Sequence, residues 1–93
     1  MDDTRLKKIG FRAWHRGFRE ADLILGAFAD LRLPTMTDAE LDAFETLLEE
    51  ADHDIYDWIV GRTPTPPEFD NVIMNEIKVF RFTLHNVTAG RGA

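Results

Sequence analysis

Two clusters of polar residues stand close enough along the chain to act together. In Arg16-Gly17-Phe18-Arg19-Glu20, with Asp22 just beyond, two guanidinium groups and two carboxylates lie close to a glycine. A guanidinium fork and a carboxylate recognise complementary groups through hydrogen bonds, and a glycine lets another backbone come close. Arginine four residues before glutamate is the weaker orientation for an intrahelical pair, so helix stability alone gives little reason for the segment. Its chemistry suits docking to another protein. The plain alternative is a helix junction with solvated charges, and spacing alone leaves the two readings even.

The second cluster, Asp52-His53-Asp54-x-x-Asp57, invites a divalent-metal reading. A calcium loop of the helix-loop-helix kind needs glycine at its sixth position and glutamate at its twelfth, but here those positions hold Asp57 and Thr63. A helix start with solvated carboxylates is favoured. His15, His53 and His85 are scattered and match no zinc pattern. With no cysteine and no serine, thiolate sites, disulfides and serine hydrolases are excluded. No glycine-rich loop follows a strand, which leaves out dinucleotide and nucleoside-triphosphate folds. The expectation is therefore a binding protein with no catalytic, cofactor or metal site of its own.

The elements that must position these clusters are helical. Leu6, Ile9 and Ala13 recur at helical spacing between Thr4 and Trp14, and Gly17 marks an end or a bend. Ile24, Ala27, Phe28 and Leu31 form the next apolar stripe, closed by Pro34, so a second helix from Phe18 ends near Leu31. Thr37-Asp38-Ala39-Glu40 reads as a capping box opening a third helix with the stripe Leu41, Phe44, Leu48 and Ala51, and Leu47 alongside. Asp52 or Asp54 is expected to cap a fourth helix carrying Ile55, Trp58 and Ile59 and ending at Gly61. An extended connector over 62–68 leads to a last helix with Ile73, Ile77, Phe80 and Leu84, expected to fray after about His85. The fold class is all-α: one domain over residues 1–93, a small bundle of about five helices, with a loose tail from about residue 86.

Charge narrows the partners. Among 93 residues the net charge is −6, which opposes nucleic-acid phosphates and anionic lipid. The charges are segregated, however. Arg5, Lys7, Lys8, Arg12, Arg16 and Arg19 crowd the start, whereas the stretch 38–57 carries only acids among its fixed charges. No apolar run approaches the roughly 20 residues of a membrane span, and the first residues have no signal-peptide core.

The chain resembles the succinate dehydrogenase flavinylation factors, SdhE in bacteria, with relatives in mitochondria. The family motif Arg-Gly-x-x-Glu matches Arg16, Gly17 and Glu20, and Asp22 follows as in the family. A second block matches Phe44-Glu45-Thr46-Leu47-Leu48-Glu49 and Asp52-His53-Asp54-Ile55-Tyr56-Asp57-Trp58, and Gly61-Arg62 and the prolines extend the likeness from about Arg5 to Phe80. Phe18 departs from the family's frequent methionine, and Ala21 from a larger apolar residue. The resemblance implies an assembly factor; the absence of cysteine fits a cytoplasmic setting and the absence of a transit segment before Arg5 a bacterial one, and a monomer is expected. It would bind the flavoprotein subunit of succinate dehydrogenase, and fumarate reductase as a further client, through Arg16, Gly17, Phe18, Glu20 and Asp22. It would promote attachment of FAD to a histidine of that partner, which carries the FAD. Competing readings are an antitoxin-like regulator and, ranked lower, a small nucleic-acid-binding protein using the basic first helix.

Overall fold

In the computed structural model, which describes the backbone of residues 3–92 and the side chains of 4–84, five helices follow in order. They are α1 (Asp3–Trp14), α2 (Arg19–Arg32), α3 (Asp38–Leu48), α4 (Asp52–Val60) and α5 (Val72–Gly92), and no strand occurs among the described residues. A 3₁₀ turn at Leu33–Thr35 links α2 to α3, and another at Pro67–Phe69 precedes α5. The expectation of a loose tail from about residue 86, with fraying after His85, concerns side chains outside the described residues. As backbone, α5 continues to Gly92.

The core gathers around Phe28. Its ring meets Phe44 of α3 edge-on at 5.6 Å and Phe80 of α5 at 5.8 Å, so one side chain of α2 joins three helices. Ile9 and Ala13 come from α1, Leu41, Leu47 and Leu48 from α3, Ile55 from α4, and Ile73, Met74 and Ile77 from α5. Each large apolar side chain buried in this way contributes roughly 1.5–3 kcal/mol.

The helix boundaries have local causes. Thr37 Oγ1 accepts from the Glu40 N–H while a Glu40 carboxylate oxygen accepts from the Thr37 N–H, the capping box expected for α3. Gly61 closes α4 at φ 80°, the left-handed conformation in which its N–H reaches Asp57 O. Arg32 fastens the far end of α2: its guanidinium bonds Glu76 of α5 at 2.7 Å and Glu40 of α3 at 3.3 Å.

Four expectations are corrected. Leu31 is 61% exposed, because α2 packs on α1 as well as α5, which turns the buried face toward Ala21, Ile24, Leu25, Phe28 and Ala29. Ala51 lies outside the α3 stripe, since α3 ends at Leu48 and Ala51 is the exposed N-cap residue of α4. Neither Asp52 nor Asp54 caps α4: both sit within its first turn, and the cap residue makes no side-chain bond. The connector is not extended throughout, for the turn at Pro67–Phe69 buries Phe69 and stacks it on Trp58 at 5.3 Å.

Gly26 explains how closely α1 and α2 approach. A Cβ at this position would stand 2.1 Å from the Trp14 ring, so the indole lies directly over the α2 backbone, with its N–H donating to Asp30 at 3.2 Å. Helix propensity alone would reward Gly26→Ala by ~1 kcal/mol. The expected result is instead a loss of about 1–3 kcal/mol from overpacking. In a Trp14→Ala background the same substitution should become stabilising. Urea unfolding of the four-member cycle reads this sign reversal.

The Glu40 carboxyl is held below the usual carboxylate range, chiefly by the Thr37 N–H, with Arg32 adding to the effect against partial desolvation. A depressed folded-state value means that its stabilisation is complete above the ordinary carboxylate range and is lost as pH falls through the folded value. Melting temperatures of wild type and Glu40→Gln should therefore differ at neutral pH and converge on acidification.

Candidate functional site

The turn between α1 and α2 is built on a buried guanidinium. Arg16 is only 8% exposed, the sole buried charged residue among those described. Its Nη1 donates to Arg12 O at 3.3 Å, and its Nη2 donates to Leu48 O at 2.7 Å and Glu50 O at 3.1 Å. Arg12 lies in the last turn of α1 and Leu48 closes α3, so one cation donates to carbonyls where two helix dipoles end. Asp52, in the first turn of α4, completes the group with Oδ1 at 2.9 Å from Nη2. Arg16 Nε is buried without a hydrogen-bond partner.

This arrangement fixes Gly17. Its φ of 112° lies where side-chain-bearing residues are strained, and a Cβ would sit 3.0 Å from Asp52 Oδ2. Asp22 braces the turn from α2: its Oδ1 accepts from the Arg16 backbone N–H, while the Asp22 N–H donates to Phe18 O at 3.1 Å. Phe18, half-buried, stacks on His53 at 4.7 Å with an interplanar angle of 8° and meets Tyr56 edge-on at 5.3 Å. Glu20 points outward from the first turn of α2, exposed and without a hydrogen bond or ion pair among the described residues.

The five residues expected to bind a partner are thus brought together, but they do different work. Arg16 was expected to offer its donor fork outward, yet the fork is spent inside on carbonyls and Asp52, because three helix ends converge on it. Asp22 is likewise occupied within the turn. Gly17 and Glu20 are exposed, and Phe18 shows one part of its ring. A surface hollow lined by Trp14, His15, Gly17, Phe18, Arg19 and Leu23 lies beside them.

The acidic cluster is dispersed by the same packing. Asp52 pairs with Arg16, Asp57 receives Arg62 at 3.2 Å, and His53 lies against Phe18. His15 donates through Nδ1–H to Phe11 O at 2.6 Å and stacks on the Phe11 ring at 3.9 Å. The side chain of His85 lies outside the described residues. Sequence reading treated Asp52 as a helix cap and gave Tyr56 no role. Their signal was the Asp-x-Asp block at a fixed distance from the Arg-Gly pair, but spacing in sequence does not show which carboxylate meets a guanidinium across three helices.

Asp52→Ala should leave the Arg16 guanidinium buried with carbonyl partners only. Breaking a buried pair costs about 3–5 kcal/mol, and since Asp52 is 32% exposed the expected loss lies at or below the lower end. Gly17→Ala should cost ~1–2 kcal/mol through its backbone conformation. Thermal denaturation measures both, and an unchanged melting temperature for Asp52→Ala would show that the carbonyls hold Arg16 unaided.

A family model described as flavinator of succinate dehydrogenase matches residues 7–81. The FAD assembly factor SdhE of Acetobacter pasteurianus is 42% identical over 65 residues, covering 70% of this chain and 60% of the relative. The mitochondrial succinate dehydrogenase assembly factor 2 of Dictyostelium discoideum is 33% identical over 72 residues, covering 77% and 51%. That of Komagataella phaffii is 35% identical over 81 residues, covering 83% and 43%. The chain spans about half the length of these relatives.

Proposed function

This chain belongs to the succinate dehydrogenase flavinator family, and from that membership we propose that it is an assembly factor for the flavoprotein subunit of succinate dehydrogenase, promoting covalent attachment of FAD there. The observation that carries the reading, beside the family match, is the Arg16 clamp. It spends one motif residue internally in order to hold Gly17, Phe18 and Glu20 in a fixed outward posture. A rigid presentation of this kind lowers the entropy lost on docking.

In this reading the chain is not itself an enzyme. Flavin and the histidine that receives it both belong to the partner, and fumarate reductase is a second client. The factor contributes position. Holding parts of the flavoprotein in reactive geometry converts a loose encounter into an oriented one, and orientation alone can supply several kcal/mol of a barrier. Glu20 supplies the free carboxylate acceptor, Gly17 the close approach and Phe18 an apolar edge, while Arg16 and Asp22 act through the shape of the turn. The factor works as a monomer in the bacterial cytoplasm. No described helix is long and apolar enough to cross a membrane, which agrees with a factor that meets its client away from the bilayer.

Glu20→Ala is the clean test, since Glu20 holds nothing else in place. Gly17→Arg mixes lost contact with backbone strain. The expected outcome is that Glu20→Ala keeps the melting temperature of wild type while losing at least tenfold in affinity for the purified flavoprotein subunit. Covalent flavin, read as fluorescence in a denaturing gel, should fall with it. Undiminished binding and flavin with Glu20→Ala would remove Glu20 from the docking surface.

A further inference from the structure

A strip of unpaired cations runs from the Gly17 turn along the outer side of α1. Lys7, Lys8, Arg12 and Arg19 are exposed, and their side chains make no ion pair or hydrogen bond among the described residues. In contrast, Arg5, Arg16, Arg32 and Arg62 each meet a carboxylate. In a chain with 17 acids and only 11 lysines and arginines, four neighbouring cations left without acids mark a segregated surface.

Three shallow hollows join this surface to the candidate docking site. The first is lined by Lys7, Lys8, Phe11 and Arg12. The second shares Lys7 and Phe11 with it and reaches Trp14 and His15. The third shares Trp14 and His15 with the second and ends at Gly17, Phe18 and Arg19. Phe11, stacked on His15 at 3.9 Å, stands at the middle of the strip and is 65% exposed. The acids beside the strip are engaged: Asp30 accepts the Trp14 indole N–H and Asp22 the Arg16 N–H.

We propose that the outer side of α1 is a second docking surface, continuous with the Gly17–Glu20 turn, that takes an acidic stretch of the same flavoprotein partner with an apolar side chain seated against Phe11. The inference rests on the function proposed above. Charge complementarity and continuity select the occupant: exposed cations with an aromatic centre fit carboxylates around an apolar anchor, and a partner seated on Gly17 and Phe18 reaches the strip without a gap. Glu20 and the cations of α1 then form an acid-base pattern that fixes the register of docking, with the cations acting chiefly on the association rate.

The test measures affinity and association rate for the purified flavoprotein subunit at low and moderate salt. The variants are wild type, Lys7→Glu/Lys8→Glu/Arg12→Glu, Phe11→Ala and, as a control outside the hollows, Arg81→Glu. All side chains altered in the triple variant and in Phe11→Ala are exposed, and circular dichroism checks the fold. The expected result is a tenfold or larger loss of affinity at low salt for the triple variant, with most of the salt dependence removed. Phe11→Ala should lose severalfold, and Arg81→Glu should stay within twofold. Triple-variant binding within twofold of wild type, while Glu20→Ala no longer binds, would overturn the second surface and leave the proposed function standing. Failure of wild type itself to bind the flavoprotein would remove both. Loss of wild-type binding to phosphatidylglycerol vesicles in the triple variant, with flavoprotein binding intact, would reassign the strip to a lipid surface and overturn the proposal.

Discussion

A single buried cation organises this small protein. The Arg16 guanidinium draws together the carbonyl ends of α1 and α3, so two helix C-termini that would each need separate capping share one donor group, and the Asp52 carboxylate at the start of α4 balances its charge. Burying a charge is costly, and the cost is offset here only because several acceptors converge on it. From that convergence follow the left-handed backbone of Gly17, the placement of Phe18 between His53 and Tyr56, and the outward direction of Glu20. The motif is therefore partly a folding device whose product is a surface.

This division of labour separates two kinds of motif residue. Arg16 and Asp22 determine where the turn lies, whereas Glu20 and the exposed part of Phe18 are what the turn leaves on the surface. Gly17 belongs to both groups, exposed to solvent yet confined by Asp52 behind it. Substitutions at the first two positions act on stability before they act on recognition, and a loss of function there carries little information about contact.

Much of the fold was legible from apolar spacing and turn chemistry. The Thr37 box, the Gly61 terminus and the core positions Ile9, Phe28, Leu41, Phe44 and Ile77 all follow from rules that act within a few residues. What escaped sequence reading depended on tertiary packing. Leu31 keeps helical spacing but faces solvent because α2 is pressed from two sides, and nothing in the local pattern around Gly26 shows that the Trp14 ring rests on it. At the candidate site the residue set was visible as a motif, but the inward course of Arg16 and its partnership with Asp52 arise from three helix ends meeting, a relation that no local pattern encodes.

The placement of the two tryptophans gives the molecule a built-in optical reporter. Trp58 is buried against Phe69, in surroundings that a surface event leaves unchanged. Trp14 is half-buried over Gly26 and lines the hollow that ends at Gly17 and Phe18, with its indole N–H held by an exposed acid. Indole emission depends on the water and charge around the ring, so the half-buried and the buried tryptophan stand in surroundings that fluorescence tells apart without any label.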